Sequence, residues 1–287
     1  MIMLSAGTAK AEIFPQMGGG LATLWAADLP VLRPWSGKEE DGPFAMACNL
    51  LVPFCNRISS GGFTYAGHRY NIGPNLPGEV YPIHGDGFQK AWQVEDAGPS
   101  QAELHLPDGA IGPFQYEASV SYSLSEASLE TRLAVTNRGT ITLPFDLGLH
   151  PWFPRDPATR LQFFATGQWP ETADHLPATP DPVPLDHGGP WHNFAALPDG
   201  WINAGFSGWD GHAKICQGRH ATSVSLSATG VGTAILYSPS AKAGFFCFEP
   251  VSHPVDAHNL QGQPGLVPLA PGETLTLSMT LTWGNCQ

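Results

Sequence analysis

The sequence predicts an all-β chain folded as a large antiparallel β-sandwich. Two observations carry this. Three long segments alternate apolar and polar residues with period two, which buries one face of a strand and wets the other. The 287 residues also include 33 Gly and 28 Pro but only 13% charged residues, a mix that suits short strands joined by tight turns rather than helical bundles.

In chain order, Gly18-Gly19-Gly20 reads as a turn or flexible stretch, since it lacks the strand–helix context of a phosphate loop. Phe114, Tyr116, Ala118, Val120, Tyr122 and Leu124 alternate with mostly polar neighbours and form the first long strand. After a break at Glu126-Ala127-Ser128 the pattern resumes at Leu129, Thr131, Leu133 and Val135. The segment Pro177 to Pro198, rich in Pro, Gly, Asp and His, reads as a long surface excursion between two strand-rich halves. Shorter strands follow at Ser223–Ser227, Thr233–Tyr237 and Gly244–Phe248. Leu275, Leu277, Met279, Leu281 and Trp283 complete the set, alternating with Thr and Ser. No apolar stripe of period 3.6 extends over ten residues, and no repeat is evident. The expectation is one continuous domain over residues 1–287.

A net charge of −12 with only 13 Lys+Arg leaves no basic face for nucleic acid and disfavours polyanionic substrates. Cys48, Cys55, Cys216, Cys247 and Cys286 are odd in number and contain no CxxC, which reads as buried thiols in a reducing compartment. No basic-then-apolar leader begins the chain, and no apolar run approaches the ~18 residues of a membrane span. A soluble cytoplasmic protein, monomer or homodimer, is expected.

Four short pieces could carry chemistry. His150 and Glu249 each stand beside a proline, in Leu149-His150-Pro151-Trp152-Phe153 and Phe248-Glu249-Pro250, at what read as strand edges. An imidazole and a carboxylate on separate strands can meet across a cleft and move protons in opposite directions on one substrate. The apolar run before Glu249 would desolvate its carboxylate and raise its pKa. His84 in His84-Gly85-Asp86-Gly87-Phe88 is on a glycine-punctuated turn that allows close approach to a ligand. Arg57, in Pro53-Phe54-Cys55-Asn56-Arg57-Ile58, must find acceptors among its apolar neighbours. Each also has an ordinary structural reading: a satisfied histidine, a solvent-facing strand-end glutamate, an ion-paired arginine. Trp152 and Trp209 could stack on a sugar ring or simply pack in the core. HExxH, GxSxG, GxxxxGK[ST] and GxGxxG are all missing, so the sequence offers no metal or nucleotide signature. His253-Pro254-Val255-Asp256-Ala257-His258 is a weak metal candidate only.

Taken in order, these pieces resemble the aldose 1-epimerase (galactose mutarotase) family. The matching segments are Asn56-Arg57-Ile58, Gly61-Gly62-Phe63, Gly67-His68-Arg69-Tyr70, Ile83-His84-Gly85, His150-Pro151-Trp152-Phe153, Glu249-Pro250 and Pro254-Val255-Asp256-Ala257-His258-Asn259. The resemblance implies a galactose mutarotase-like supersandwich that interconverts the anomers of a free sugar without metal or cofactor. It implies Glu249 as general base and His150 as general acid, on opposite sides of a space one sugar ring wide. It implies Arg57, His84, Asn56 and Trp152 as substrate-binding residues. Asn203, in Ile202-Asn203-Ala204-Gly205-Phe206, falls where the family offers an acidic residue to sugar hydroxyls. Asparagine keeps an acceptor oxygen but loses the charge, so a shifted sugar preference is expected. A non-catalytic sugar-binding module and a hexose-6-phosphate 1-epimerase of the same superfamily are the alternatives.

Overall fold

The computed structural model describes residues 1–284 of the chain. The three alternating segments are neighbouring antiparallel strands, Phe114–Leu124, Ser128–Asn137 and Thr274–Gly284, of one nine-stranded sheet. Leu133 lies opposite Val120 on one side and Leu277 on the other, so the period-two pattern becomes an apolar row across the sheet. The second sheet has eleven strands. Its central order is Leu21–Ala26, Cys48–Leu51, Gly148–Pro154, Phe245–Val251, Thr233–Ser238 and Ile202–Ser207, and Gly167–Trp169 lies beyond. The two sheets pack through aromatic contacts such as Phe163 against Phe248, with ring centroids 5.0 Å apart. One apolar cluster runs from Leu4 to Leu281. The helical elements among the described residues are single 3-10 turns.

His150-Pro151 and Glu249-Pro250 lie in central strands, not at the strand edges their prolines suggest. The ladder shows how the prolines are tolerated. Gly148 pairs with Val251 and Trp152 with Cys247, in one register, while residues 149, 150 and 151 make no ladder pairs with 250, 249 and 248. Both prolines, which cannot donate to a ladder, fall inside this one gap.

Both strands are buried along nearly their whole length. Leu149, Phe153, Phe246 and Phe248 belong to the core between the sheets. By alternation His150, Trp152, Cys247 and Glu249 point to the opposite face. The excursion Pro177 to Pro198 is mostly exposed, but Trp191 anchors it by stacking on Phe163 at 5.7 Å. Cys48, Cys55 and Cys247 are buried thiols. Cys216 is disulfide-bonded, which corrects the expectation that all the cysteines are reduced. Among the described residues, no helix is long and apolar enough to cross a membrane.

Candidate active site

Register across the eleven-stranded sheet sets out the site in two rows. Asn49 lies opposite His150, Glu249 opposite Ile235, and Ile235 opposite Gly205; His150 and Glu249 face each other across the open rungs. One step along, Trp152, Cys247, Tyr237 and Asn203 form the parallel row. Above this face lies a cleft of about 580 Å³, lined by Asn56, Arg57, His84, His150, Trp152, Asn203 and Glu249 among others. That volume falls in the usual range for small-molecule sites. Seven of the residues singled out in the sequence thus meet at one place.

His150 and Glu249 do not flank a sugar-sized space. They are side by side, with His150 Nε2 3.4 Å from Glu249 Oε1. Glu249 is only 2% exposed. Burial pushes its pKa from an ordinary 4.5 up to about 8, against a weaker pull from Arg57. Burial lowers His150 to about 3, helped by the positive charge of Arg33. The favoured state at neutral pH is therefore a carboxylic acid beside a neutral imidazole rather than an ion pair. Among the described residues, Glu249 Oε2 and His150 Nδ1 find no hydrogen-bond partner. Trp152 stacks on the His150 ring at 4.7 Å, and the Arg33 guanidinium lies 4.1 Å over Trp152. The Trp152 indole donates to Asn49 Oδ1 at 3.2 Å. The plane of His150 is fixed from behind by this stack.

The opposite wall comes from two loops. The Asn56 backbone N–H donates to His84 Nδ1 at 3.0 Å, so the neutral ring carries its proton on Nε2. Burial, with His150 and Arg57 nearby, holds His84 well below the usual imidazole pKa. His84 is thus a neutral donor. Gly85 follows at φ +66°, and a Cβ there would lie 1.9 Å from the Val52 carbonyl oxygen. Gly85→Ala is expected to cost about 2–4 kcal/mol and to displace His84, measured by urea unfolding and sugar affinity together. Asp86, beyond it, takes the Tyr116 hydroxyl at 2.5 Å and is structural. Arg57 Nη2 reaches both oxygens of Glu79 at 3.2 Å, leaving the rest of its fork free to act on a ligand.

The supporting residues were largely illegible in sequence. Asn75 bonds Ile83 and Gly85 and holds the His84 turn. Asp256 accepts from the Ser59 backbone and hydroxyl at 2.8 and 2.7 Å and so braces the Arg57 loop. His253 lies 2.7 Å from Asp146, which accepts the Cys55 N–H. Burial raises Asp146; His253, despite burial that lowers it, is held above its usual value by Asp146. The Pro254–Asn259 stretch therefore braces the loop around Ser59. Trp209 is buried against Phe248 and does not reach the cleft. The exposed aromatic at the mouth is Trp201, at 48%. Glu79, Tyr237, His175 and Trp201 line the cleft without any sequence signal that would have picked them out. Among the described residues, His150, Cys247 and Glu249 alone bring three possible metal-ligand atoms within 4.8 Å of one another.

Comparison with known proteins agrees with the ordered residue match. The family model for aldose 1-epimerase matches residues 1–282. The Escherichia coli (strain K12) protein YphB, itself uncharacterised, is 35% identical over 288 residues, covering 97% of each chain. A solved structure from Escherichia coli K12, described as a candidate aldose 1-epimerase, superposes with a TM-score of 0.92 at 32% identity over 99% of both chains. A galactose mutarotase-like protein from Clostridium acetobutylicum shares the fold, with a TM-score of 0.87 at 19% identity over 99% of this chain and 95% of that one. This chain belongs to the aldose 1-epimerase family.

Proposed function

We propose that the protein is an aldose 1-epimerase, interconverting the α and β anomers of a free sugar by general acid–base ring opening at Glu249 and His150. The observation that carries this reading is the buried pair itself, 3.4 Å apart at the floor of a sugar-sized cleft.

The pair holds one proton near neutral pH. A sugar hydroxyl donating to Glu249 stabilises the carboxylate and shifts that proton to His150. Glu249 then takes the proton of the anomeric hydroxyl. His150 gives its proton to the ring oxygen as the bond from that oxygen to the anomeric carbon breaks. The open aldehyde turns about its first carbon–carbon bond and closes on the other face, with each group acting in the reverse sense. His84 Nε2–H and Arg57 supply donors to the sugar's oxygens. Acid–base groups of this kind contribute ~10²–10⁴-fold each.

The test is the rate at which a freshly dissolved pure anomer relaxes, followed by polarimetry or NMR, on several free sugars and one sugar phosphate. Acceleration of free sugars supports the reading. Acceleration of the phosphate alone would favour the phosphate-specific alternative, and binding without acceleration would favour the binding module. The pH profile follows from the pair. It keeps its single proton from well below neutrality up to the Glu249 pKa of about 8. The specificity constant should therefore be flat at neutral and mildly acid pH. It should fall above about pH 8, approaching tenfold per further unit.

A further inference from the structure

The open end of the cleft holds a carboxylate in an unexpected place. The register that pairs Trp169 with Gly205, carried two residues past the end of the strand Gly167–Trp169, brings Glu171 level with Asn203, and the two side chains meet there. Glu171 gathers three side chains. It accepts from Asn203 Nδ2 at 2.7 Å, from the Trp201 indole, and contacts His175 Nδ1 at 2.9 Å. His175 and Trp201 stack at 5.2 Å, and Trp201 meets Tyr237 edge-on at 5.3 Å. Asn203, His175, Trp201 and Tyr237 all line the cleft, whereas Glu171 stands behind them.

An amide is planar, with its oxygen and nitrogen on opposite sides. Committing Asn203 Nδ2 to Glu171 turns Oδ1 away from that carboxylate. We propose that Glu171 is a specificity-determining positioning residue, which orients Asn203 as a neutral hydroxyl acceptor and fixes the His175–Trp201 pair as the wall of the cleft. The inference rests on the sugar-epimerase reading of the same site. It divides between two residues what the family resemblance assigns to one: Asn203 offers the acceptor oxygen, and Glu171 keeps the charge one strand away. The substrate class that fits is a neutral sugar presenting hydroxyl donors at this end. A carboxylate or phosphate there would meet Asp174, the neighbour of His175, which also lines the cleft.

The experiment compares Glu171→Gln, Asn203→Asp and the double variant Glu171→Gln/Asn203→Asp in the full-length protein. KM and kcat are measured on the best free sugar, and Kd by calorimetry on the same sugar. Loss of one charge-assisted hydrogen bond should raise KM and Kd about tenfold in Glu171→Gln, with a smaller change in kcat. Asn203→Asp alone places two carboxylates at hydrogen-bonding distance and should weaken binding at least as much. The double variant restores one donor and one acceptor between the two positions, and should return to within a few-fold of wild type. Tighter binding in Asn203→Asp would overturn the proposal, because Asn203 would then act without Glu171. A double variant no better than Asn203→Asp would overturn it too, since a merely structural role predicts accumulated damage. The calorimetric arm is independent of turnover, so a protein that binds sugar without epimerising it sinks the functional reading and still tests this one.

Discussion

Glu249→Gln should lower the anomer-exchange rate by ~10²–10⁴-fold while the protein remains folded, because it removes the titrating group and almost no volume. Its effect on stability has the opposite sign. Glu249 titrates near 4.5 when unfolded and at about 8 when folded. Between those values the folded state binds more protons than the unfolded state, so stability falls as pH rises through the window. The loss is at most ~1.4 kcal/mol per pH unit for a single group. Glutamine does not titrate. The variant should therefore melt above wild type at pH 8, and the two curves should converge below pH 4.5. Thermal melts at pH 4, 6 and 8 beside polarimetry check both halves. Wild-type turnover in this variant would remove the base from Glu249. Equal melting temperatures at pH 8 would show that the carboxyl is not desolvated as its burial indicates.

His150→Asn should lose as much activity as Glu249→Gln, and the double variant should lose little more than either alone. Groups that pass one proton between them fail together, and their losses do not add. The geometry supports a single unit, since the two side chains lie on facing rungs with His150 Nε2 3.4 Å from Glu249 Oε1. The measurement is a double-mutant cycle on the anomer-exchange rate constant. Additive losses, with the double variant slower by the product of the single factors, would show two independent groups and rule out the shared-proton mechanism. Asparagine at 150 also keeps a polar side chain beneath the Phe44 and His84 rings that flank the histidine, which limits repacking.

The all-β class was legible because strands write a local code. Val120 stands between Ser119 and Ser121 and Tyr122 between Ser121 and Ser123, and that pattern needs no knowledge of which strand lies next door. That seven candidate residues, Asn203 among them, would line one cleft was also legible, through an ordered match of short motifs. What the prolines beside His150 and Glu249 meant was not legible. A proline speaks for a strand edge when considered alone. Only pairing two strands shows that Pro151 and Pro250 share one gap in the middle of a sheet.

Local sequence determined which residues are strands, which side of each strand is apolar, and which side chains can carry protons. Tertiary structure decided how far apart those side chains are and what charge they hold. Distance follows from register, a relation between segments about a hundred residues apart, and it made neighbours of His150 and Glu249. Charge follows from burial: a carboxyl ordinary in water is raised to about 8 at the floor of a cleft. Glu171 shows the same limit. Nothing around it in sequence marks it, and its place behind Asn203 comes from the pairing of two strands that neither segment encodes by itself.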